Sequence, residues 1–259
     1  MSGKTAAAEL RIIGIEGIPE VHPGDDLHRI IGDAIEESGN GLQDDDVLIV
    51  THKIVSKAEG RLVDLNTVEP SPFATKWARD FDKDPRQVEV VLSESKRIVR
   101  MDRGILISET RHGFICANAG VDQSNVSPDT VCLLPLDPDA SARAIRTALN
   151  DRFGLKTGPG IIISDSFGRP WRAGIVNVAV GISGLAPLAD YRGMFDSAGY
   201  EMHVSVLAVA DELAGAAELV MSKLDARPVV LIRGYQPPTT APHGSGRDMV
   251  LDPARNLFP

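Results

Sequence analysis

Cysteine is nearly absent: Cys116 and Cys132 are the only two in 259 residues, and neither stands in a Cys-x-x-Cys pair or a Cys/His cluster of zinc-ligand spacing. That usage points to a reducing compartment and leaves no structural zinc to expect. No run of about 18 apolar residues occurs, and no apolar stretch of signal-peptide length follows Met1, so a cytoplasmic chain that does not enter a membrane is expected. Basic residues are in deficit, 27 against 36 acids, for a formal net charge of -9. With no basic tract interleaved with aromatics, nucleic acid is not an expected partner. Nucleotides stay open, because a bridging cation lets an acidic protein hold phosphates. Neither a GxGxxG fingerprint nor a GxxxxGK[ST] loop is present, which removes the usual Rossmann and Walker phosphate loops. There is also no internal repeat and no low-complexity linker.

A hydrophobic content of 43% is ample for a buried core, in one large domain or two lobes. Short runs rich in Ile and Val, bounded by Gly, Pro and Asp, predict strands: "LRIIGI" from 10, "DVLIVT" from 46, "GILISE" from 104, "GFICANAG" from 113, "GIIISDS" from 160 and "RPVVLIRG" from 227. Helices are predicted in "DLHRIIGDAIEES" from 26, "PFATKWARDF" from 72, "DASARAIRTALNDRFG" from 139 and "SVLAVADELAGAAELVMSKL" from 205. In the third, Ala142, Ile145, Leu149 and Phe153 share a face, with Asp139 or Ser141 as cap and Gly154 as stop. The strands near 104 and 113 are separated only by a turn, so a hairpin interrupts any wholly parallel sheet. The expected class is α+β, a mixed α/β chain with mixed sheets.

Four stretches bear polar groups suited to chemistry. In "IIISDSFGRPWRAG" a four-residue strand ends in Asp165 and Ser166, a carboxylate beside a hydroxyl, which suits a hard divalent cation. In "CANAGVDQSNVSPD" Asp122 and Asn125 follow small residues in the same way. Each alone reads as a turn residue, Asn125 also as a helix cap; the two acids at two strand ends together suit a shared metal site. "VTHKIVSKAEGR" carries His52, Lys53 and Lys57, its lysines either point charges for a polyphosphate or guards of a solvated strand edge. "HGSGRDM" offers Gly244, Ser245 and Gly246 as an amide nest with Arg247, or as a flexible linker. The tail from Gln236 reads as a mobile loop or one ordered by ligand, and both cysteines read as core thiols.

Taken in order, "GIEGIPEVHPGDDL", "VTHKIVSKAEGR", "CANAGVDQSNV", "LLPLDPDASA", "IISDSFGRPWRAGIVNVAVGISGL" and "VADELA" make the chain resemble the coenzyme F420-0:L-glutamate ligase family. Those segments span about residues 14 to 214, with weaker similarity in "RGYQ" and "GSGRDM". The resemblance implies GTP as co-substrate, contacted by Ile18, Pro19, Glu20, Val21, His52, Lys53, Lys57 and Asn125. It implies Mg2+ or Mn2+ on Asp122, Asp165 and Ser166, with room for two ions and for K+, and Lys57, Asp122 and Asp165 as the catalytic set. Thr often stands in the family where this chain has Ser166. The implied substrates are F420-0 and L-glutamate, and the implied architecture is a single ligase module over residues 1–259, two-lobed, in an intertwined homodimer. Some relatives carry a fused nitroreductase-like domain; with the chain ending at Pro259, none is expected here. Arg169 and Arg172 suit carboxylates or a phosphodiester, or a structural role. Two rival expectations are a metal-dependent nucleotide phosphohydrolase, with water as acceptor, and a non-catalytic deazaflavin or nucleotide carrier.

Overall fold

A computed structural model describes residues 9–237 and 243–257. The reading of the segment behind Met1, and the parts of the tail reading that fall on 238–242 and 258–259, lie outside the described residues. In chain order the elements are β1 (Arg11–Ile15), α1 (Leu27–Glu37), β2 (Val47–Thr51), α2 (His52–Ala58), β3 (Leu62–Asp64), α3 (Pro72–Phe81), α4 (Pro85–Glu94), β4 (Ser95–Asp102), β5 (Ile105–Thr110), β6 (Ile115–Ala117), β7 (Thr130–Cys132), α5 (Pro138–Phe153), β8 (Gly160–Arg169), β9 (Arg172–Ser183), β10 (Ala189–Asp190), β11 (Val206–Leu207), α6 (Val209–Met221) and β12 (Val229–Arg233). The class is mixed α/β, as expected. Among the described residues no helix is long and apolar enough to cross a membrane.

The main sheet runs β1-β12-β2-β8-β9, with β2 and β8 parallel and every other neighbour antiparallel. The apolar runs of β2, β12 and the first half of β8 are buried on both faces, which is why they read as continuous rather than alternating. On one face Ile31 and Ile35 of α1 and Ala142, Ile145 and Leu149 of α5 meet Leu48, Val50, Ile161 and Ile163. On the other, Leu213, Ala214 and Ala217 of α6 cover Val47, Ile49, Ile162 and Ile232. Each fully buried Ile or Leu contributes roughly 1.5–3 kcal/mol toward offsetting chain entropy. The predicted helix from 205 begins only at Val209, because Val206 and Leu207 pair with β10 instead.

The cap of α5 is Asp137, which accepts from the Ala140 amide; Asp139 and Ser141 do not cap it. Asp139 is buried and accepts the amides of Ile182 and Gly246, so it joins the first turn of α5 to β9 and to the tail. Gly181 is required there, since a Cβ at that position would strike the Pro138 carbonyl oxygen. The tail glycines form neither a linker nor an anion nest: the amides of Gly244, Ser245 and Gly246 donate to the Leu185 carbonyl, Asp248 and Asp139.

A third apolar cluster, with Leu65, Ala74, Ala78, Val88, Val91, Leu106, Ala119, Val121 and Val131, lies beneath the β4-β5-β6 and β3-β7 sheets. The predicted hairpin is present as β5 and β6.

Asp44 ties the loop ahead of β8 to the start of β2, accepting from the Thr157 amide and hydroxyl and the Gly158 amide. Led by the Thr157 amide, these donors hold its carboxyl at about 2 against an ordinary 3.8. A depressed carboxyl stabilises the fold fully above its unfolded value and loses that contribution as pH falls through its folded value. Asp44→Asn is therefore expected to flatten the part of the acid-unfolding profile between about pH 4 and pH 2, read by circular dichroism, and a profile parallel to wild type there would contradict this.

Candidate functional site

Four chain segments reach one edge of the main sheet for a topological reason. β2 and β8 are parallel, so Thr51 lies beside Ser164 where both leave the core. β12 runs the other way, and its leading residue Pro228 accepts the Thr51 amide. The end of β1 pairs with the start of β12, so the 16–21 loop emerges at the same edge. Crevices outside the carboxyl ends of parallel strands are where such sheets hold ligands. Here that edge opens into a cleft of about 670 Å³.

Every residue that the family resemblance implies for nucleotide or metal lines it: Ile18, Pro19, Glu20 and Val21 after β1, His52, Lys53 and Lys57 on α2, Asp122 and Asn125 after β6, and Asp165 and Ser166 on β8. The stretch from His52 is not a solvated strand edge but a helix, with His52 and Lys57 buried. Nor do Asp165 and Ser166 cap a four-residue strand. β8 continues to Arg169 because β9 goes on pairing with it after β2 has turned into α2. Arg169 and Arg172 face each other across the hairpin turn, outside the cleft lining.

Asp122 is fixed from both sides. Its amide donates to the Cys132 carbonyl and its carbonyl accepts from the Cys132 amide, after a turn in which Asn118 and Ala119 have positive φ. The apolar neighbours Ala119 and Val121 anchor that turn in the third cluster. Lys53 Nζ lies 2.7 Å from Asp122 Oδ2 and 2.5 Å from Ser124 Oγ, and the Ser124 amide donates to Asp122 Oδ1 at 2.7 Å. Burial works against the Asp122 charge, but the Lys53 ammonium and the Ser124 donors outweigh it and hold the carboxyl below its ordinary value. The turn expected at Asp122 is thus real, and the carboxylate also faces the cleft. Asn125 stands at φ 57 in the same turn, and Gln123 closes it by donating to the Pro128 carbonyl.

Asp165 Oδ1 lies 3.3 Å from His52 Nε2 and accepts the Ser166 amide at 2.7 Å. Lys57 forms an ion pair with Glu20. Ser166 Oγ donates to Asn177 Oδ1 at 2.6 Å and accepts from Lys223 Nζ at 2.8 Å, while Asn177 Nδ2 donates to Glu218 Oε2 at 2.9 Å. Nearby, the Cys116 thiol is pushed up to about 12 by burial and then by the Asp165 charge, and Cys132 to about 11, chiefly by burial. Both are buried thiols without nucleophilic character at neutral pH.

Among the described residues no three His, Cys, Asp or Glu side chains gather into a closed metal cage. The donor chemistry nevertheless suits Mg2+ or Mn2+. Both are hard ions that use one or two carboxylates and complete their shell with water and phosphate oxygens. Asp122, Asp165 and Ser166 present such oxygens to one cleft, and Asp122 and Ser166 already bind cations there, the ammonium groups of Lys53 and Lys223.

Sequence reading missed Ser124, Asn177, Glu218 and, in the 221–228 segment, every residue but Asp225, all on the cleft wall. The one available signal was the charged "SKLDARP", which runs from the end of a predicted helix into the start of a predicted strand.

A family model described as F420-0:Gamma-glutamyl ligase matches residues 15–234. The chain is 45% identical over 255 residues to the coenzyme F420:L-glutamate ligase of Methanopyrus kandleri, covering 96% of this chain and 98% of that protein. It is 46% identical over 227 residues to the protein of the same name from Methanothermobacter thermautotrophicus, covering 87% and 89%. With the one from Haloarcula marismortui the identity is 37% over 255 residues, covering 96% and 95%.

Proposed function

Since the chain belongs to the F420-0:gamma-glutamyl ligase family, we propose that it joins L-glutamate by an amide bond to the lactyl carboxylate of coenzyme F420-0, with GTP converted to GDP and phosphate. The observation that carries this is that Ile18 to Val21, His52 to Lys57, Asp122 to Asn125, and Asp165 and Ser166, four separate segments, contribute to one cleft.

In this reading the lactyl carboxylate attacks the γ-phosphorus of GTP in line and GDP leaves. The α-amine of glutamate, having given up a proton, then attacks the resulting acyl phosphate at carbon, and phosphate leaves. Such transfers depend on positioning and on charge placed where it develops. Ile18, Pro19, Glu20, Val21, His52 and Asn125 hold the nucleotide, and Lys53 and Lys57 bring positive charge to its phosphates. Asp122, Asp165 and Ser166 are the residues that would hold Mg2+ or Mn2+. When bound, the metal supplies neutralising charge to the β- and γ-phosphate oxygens.

The same reading takes residues 1–259 as one ligase module, two-lobed and paired in a homodimer. Support comes from the separate third cluster and from exposed apolar residues on the outer hairpins, including Ile175 and Phe195, the latter 65% exposed. Ile175 also lines the cleft, so a partner seated on that hairpin would border the site.

The test is mass spectrometry of F420-0 incubated with the protein, glutamate, GTP and Mg2+ or Mn2+, omitting each in turn, on a sample whose mass is measured by light scattering. A glutamyl gain that needs all components is expected, from a dimer. GTP cleaved without any gain would replace the reading with a phosphohydrolase, and neither gain nor cleavage would overturn it. A monomeric mass in the active sample would remove the dimer.

A further inference from the structure

Two of the oxygens proposed to hold the divalent cation carry an ammonium group of the chain itself. Lys53 Nζ sits 2.7 Å from Asp122 Oδ2, and Lys223 Nζ sits 2.8 Å from Ser166 Oγ and 3.3 Å from Glu218 Oε1. In the sequence Lys223 is marked only by the charged stretch "SKLDARP".

The Ser166 hydroxyl is oriented for a cation by its neighbours. The Glu218 carboxylate can only accept, so the nitrogen of the Asn177 amide turns toward it and the amide oxygen is left facing Ser166. That oxygen takes the hydroxyl proton, and the lone pairs of Ser166 Oγ face outward to Lys223. Asn177 and Glu218 thereby act as positioning residues for a neutral cation ligand.

A divalent ion of this class binds oxygen at about 2.1 Å. An ammonium kept within hydrogen-bonding distance of the same oxygen would stand only about 3–4 Å from it, where like charges repel strongly. Each cation therefore weakens the hold of the same oxygen on the other. Lysine stems are long and rotatable, and the side chain of Lys223 is 58% exposed, so it has room to swing into the cleft.

We infer that Lys53 and Lys223 compete with the divalent cation for Asp122 and Ser166, and that its binding turns both ammonium groups onto anionic oxygens, phosphate or carboxylate, of the substrates. The inference rests on the metal reading of the cleft. It makes metal and substrate binding mutually supportive: displaced lysines raise the positive charge available to an anion, and an anion that takes up the lysines frees the oxygens for metal.

The experiment is a Mn2+ titration followed by electron paramagnetic resonance, without nucleotide, on wild type, Lys53→Met, Lys223→Met and the remote surface variant Lys76→Met. Lys53→Met and Lys223→Met are each expected to bind Mn2+ about fivefold more tightly or better, while Lys76→Met stays near wild type. With Mn2+ present, calorimetry is expected to show GTP, or F420-0 and glutamate offered separately, bound more weakly by at least one of the two variants. The ligand affected tells whether phosphate or carboxylate receives the lysine. Mn2+ affinity unchanged or lower in both variants, or raised equally in Lys76→Met, overturns the inference and leaves the metal reading standing. Wild type that binds no Mn2+ overturns both. Because Lys223 is exposed, its variant remains decisive if Lys53→Met fails to fold.

Discussion

Asp165→Asn is expected to fold as the wild type does and to lose two or more orders of magnitude in turnover, about 3 kcal/mol of transition-state stabilisation. The fold survives because β8 is held by backbone pairing to β2 and β9 and by apolar neighbours, not by this side chain. An Asn oxygen can still accept the Ser166 amide that Asp165 Oδ1 accepts now. What disappears is the negative charge opposite His52 and on the cleft wall, the feature a hard cation and a phosphoryl group need. Turnover is to be measured in the coupled glutamate and GTP assay, with thermal unfolding as the control. A folded Asp165→Asn protein with undiminished turnover would remove Asp165 from the catalytic set.

Arg233→Met is expected to have the opposite profile, lowering stability by about 3 kcal/mol with turnover per folded molecule preserved. Asp46 is 2% exposed, and Arg233 meets it with both arms, Nε to Oδ1 at 2.9 Å and Nη2 to Oδ2 at 2.7 Å. The same guanidinium donates to the carbonyls of Asn40 and Gly41, which closes the loop before β2 onto the end of β12. Removing it leaves a buried carboxylate with, among the described residues, only the Gln43 amide as donor. In a chain of this size the melting temperature should fall by roughly 6–12 °C. Asp46→Asn added to Arg233→Met should recover part of the loss, since the stranded charge is then gone. This clamp sits at the start of β2, the end of the strand remote from the cleft, so activity and stability are separable here. A melting temperature within a degree of wild type would show that the pair is not a clamp.

Much of the scaffold was legible because its signals are local. The apolar runs of β2, β8 and β12 and the Gly154 stop of α5 act within a few residues of chain. Elements whose signals conflict were not read. α4 carries Val88, Val90 and Val91, which favour strands, and is a helix because Asp84 caps it, Pro85 starts it and Val88 and Val91 face the third cluster. α2 contains Ile54 and Val55 after a strand-like run, and turns helical where β2 leaves the core. The Gly-Ser-Gly of the tail has the composition of a nest or a linker alike; its packing on Asp139, Asp248 and Leu185 is what commits its amides.

The same division holds at the site. Sequence by itself determined the family, the mixed α/β class and the set of polar side chains, since covalent order and residue chemistry suffice for those. Only the tertiary structure decided that Asp122, pinned to Cys132, shares a cleft with Asp165 on another sheet, and that Lys223 and Glu218 join them from the end of α6. Strand direction accounts for part of this: β2 parallel to β8 and antiparallel to β12 brings the ends of those strands to one edge, while Asp122 is delivered there by its bridge to Cys132 and the third cluster behind it. Neither composition nor periodicity encodes the direction of a neighbouring strand.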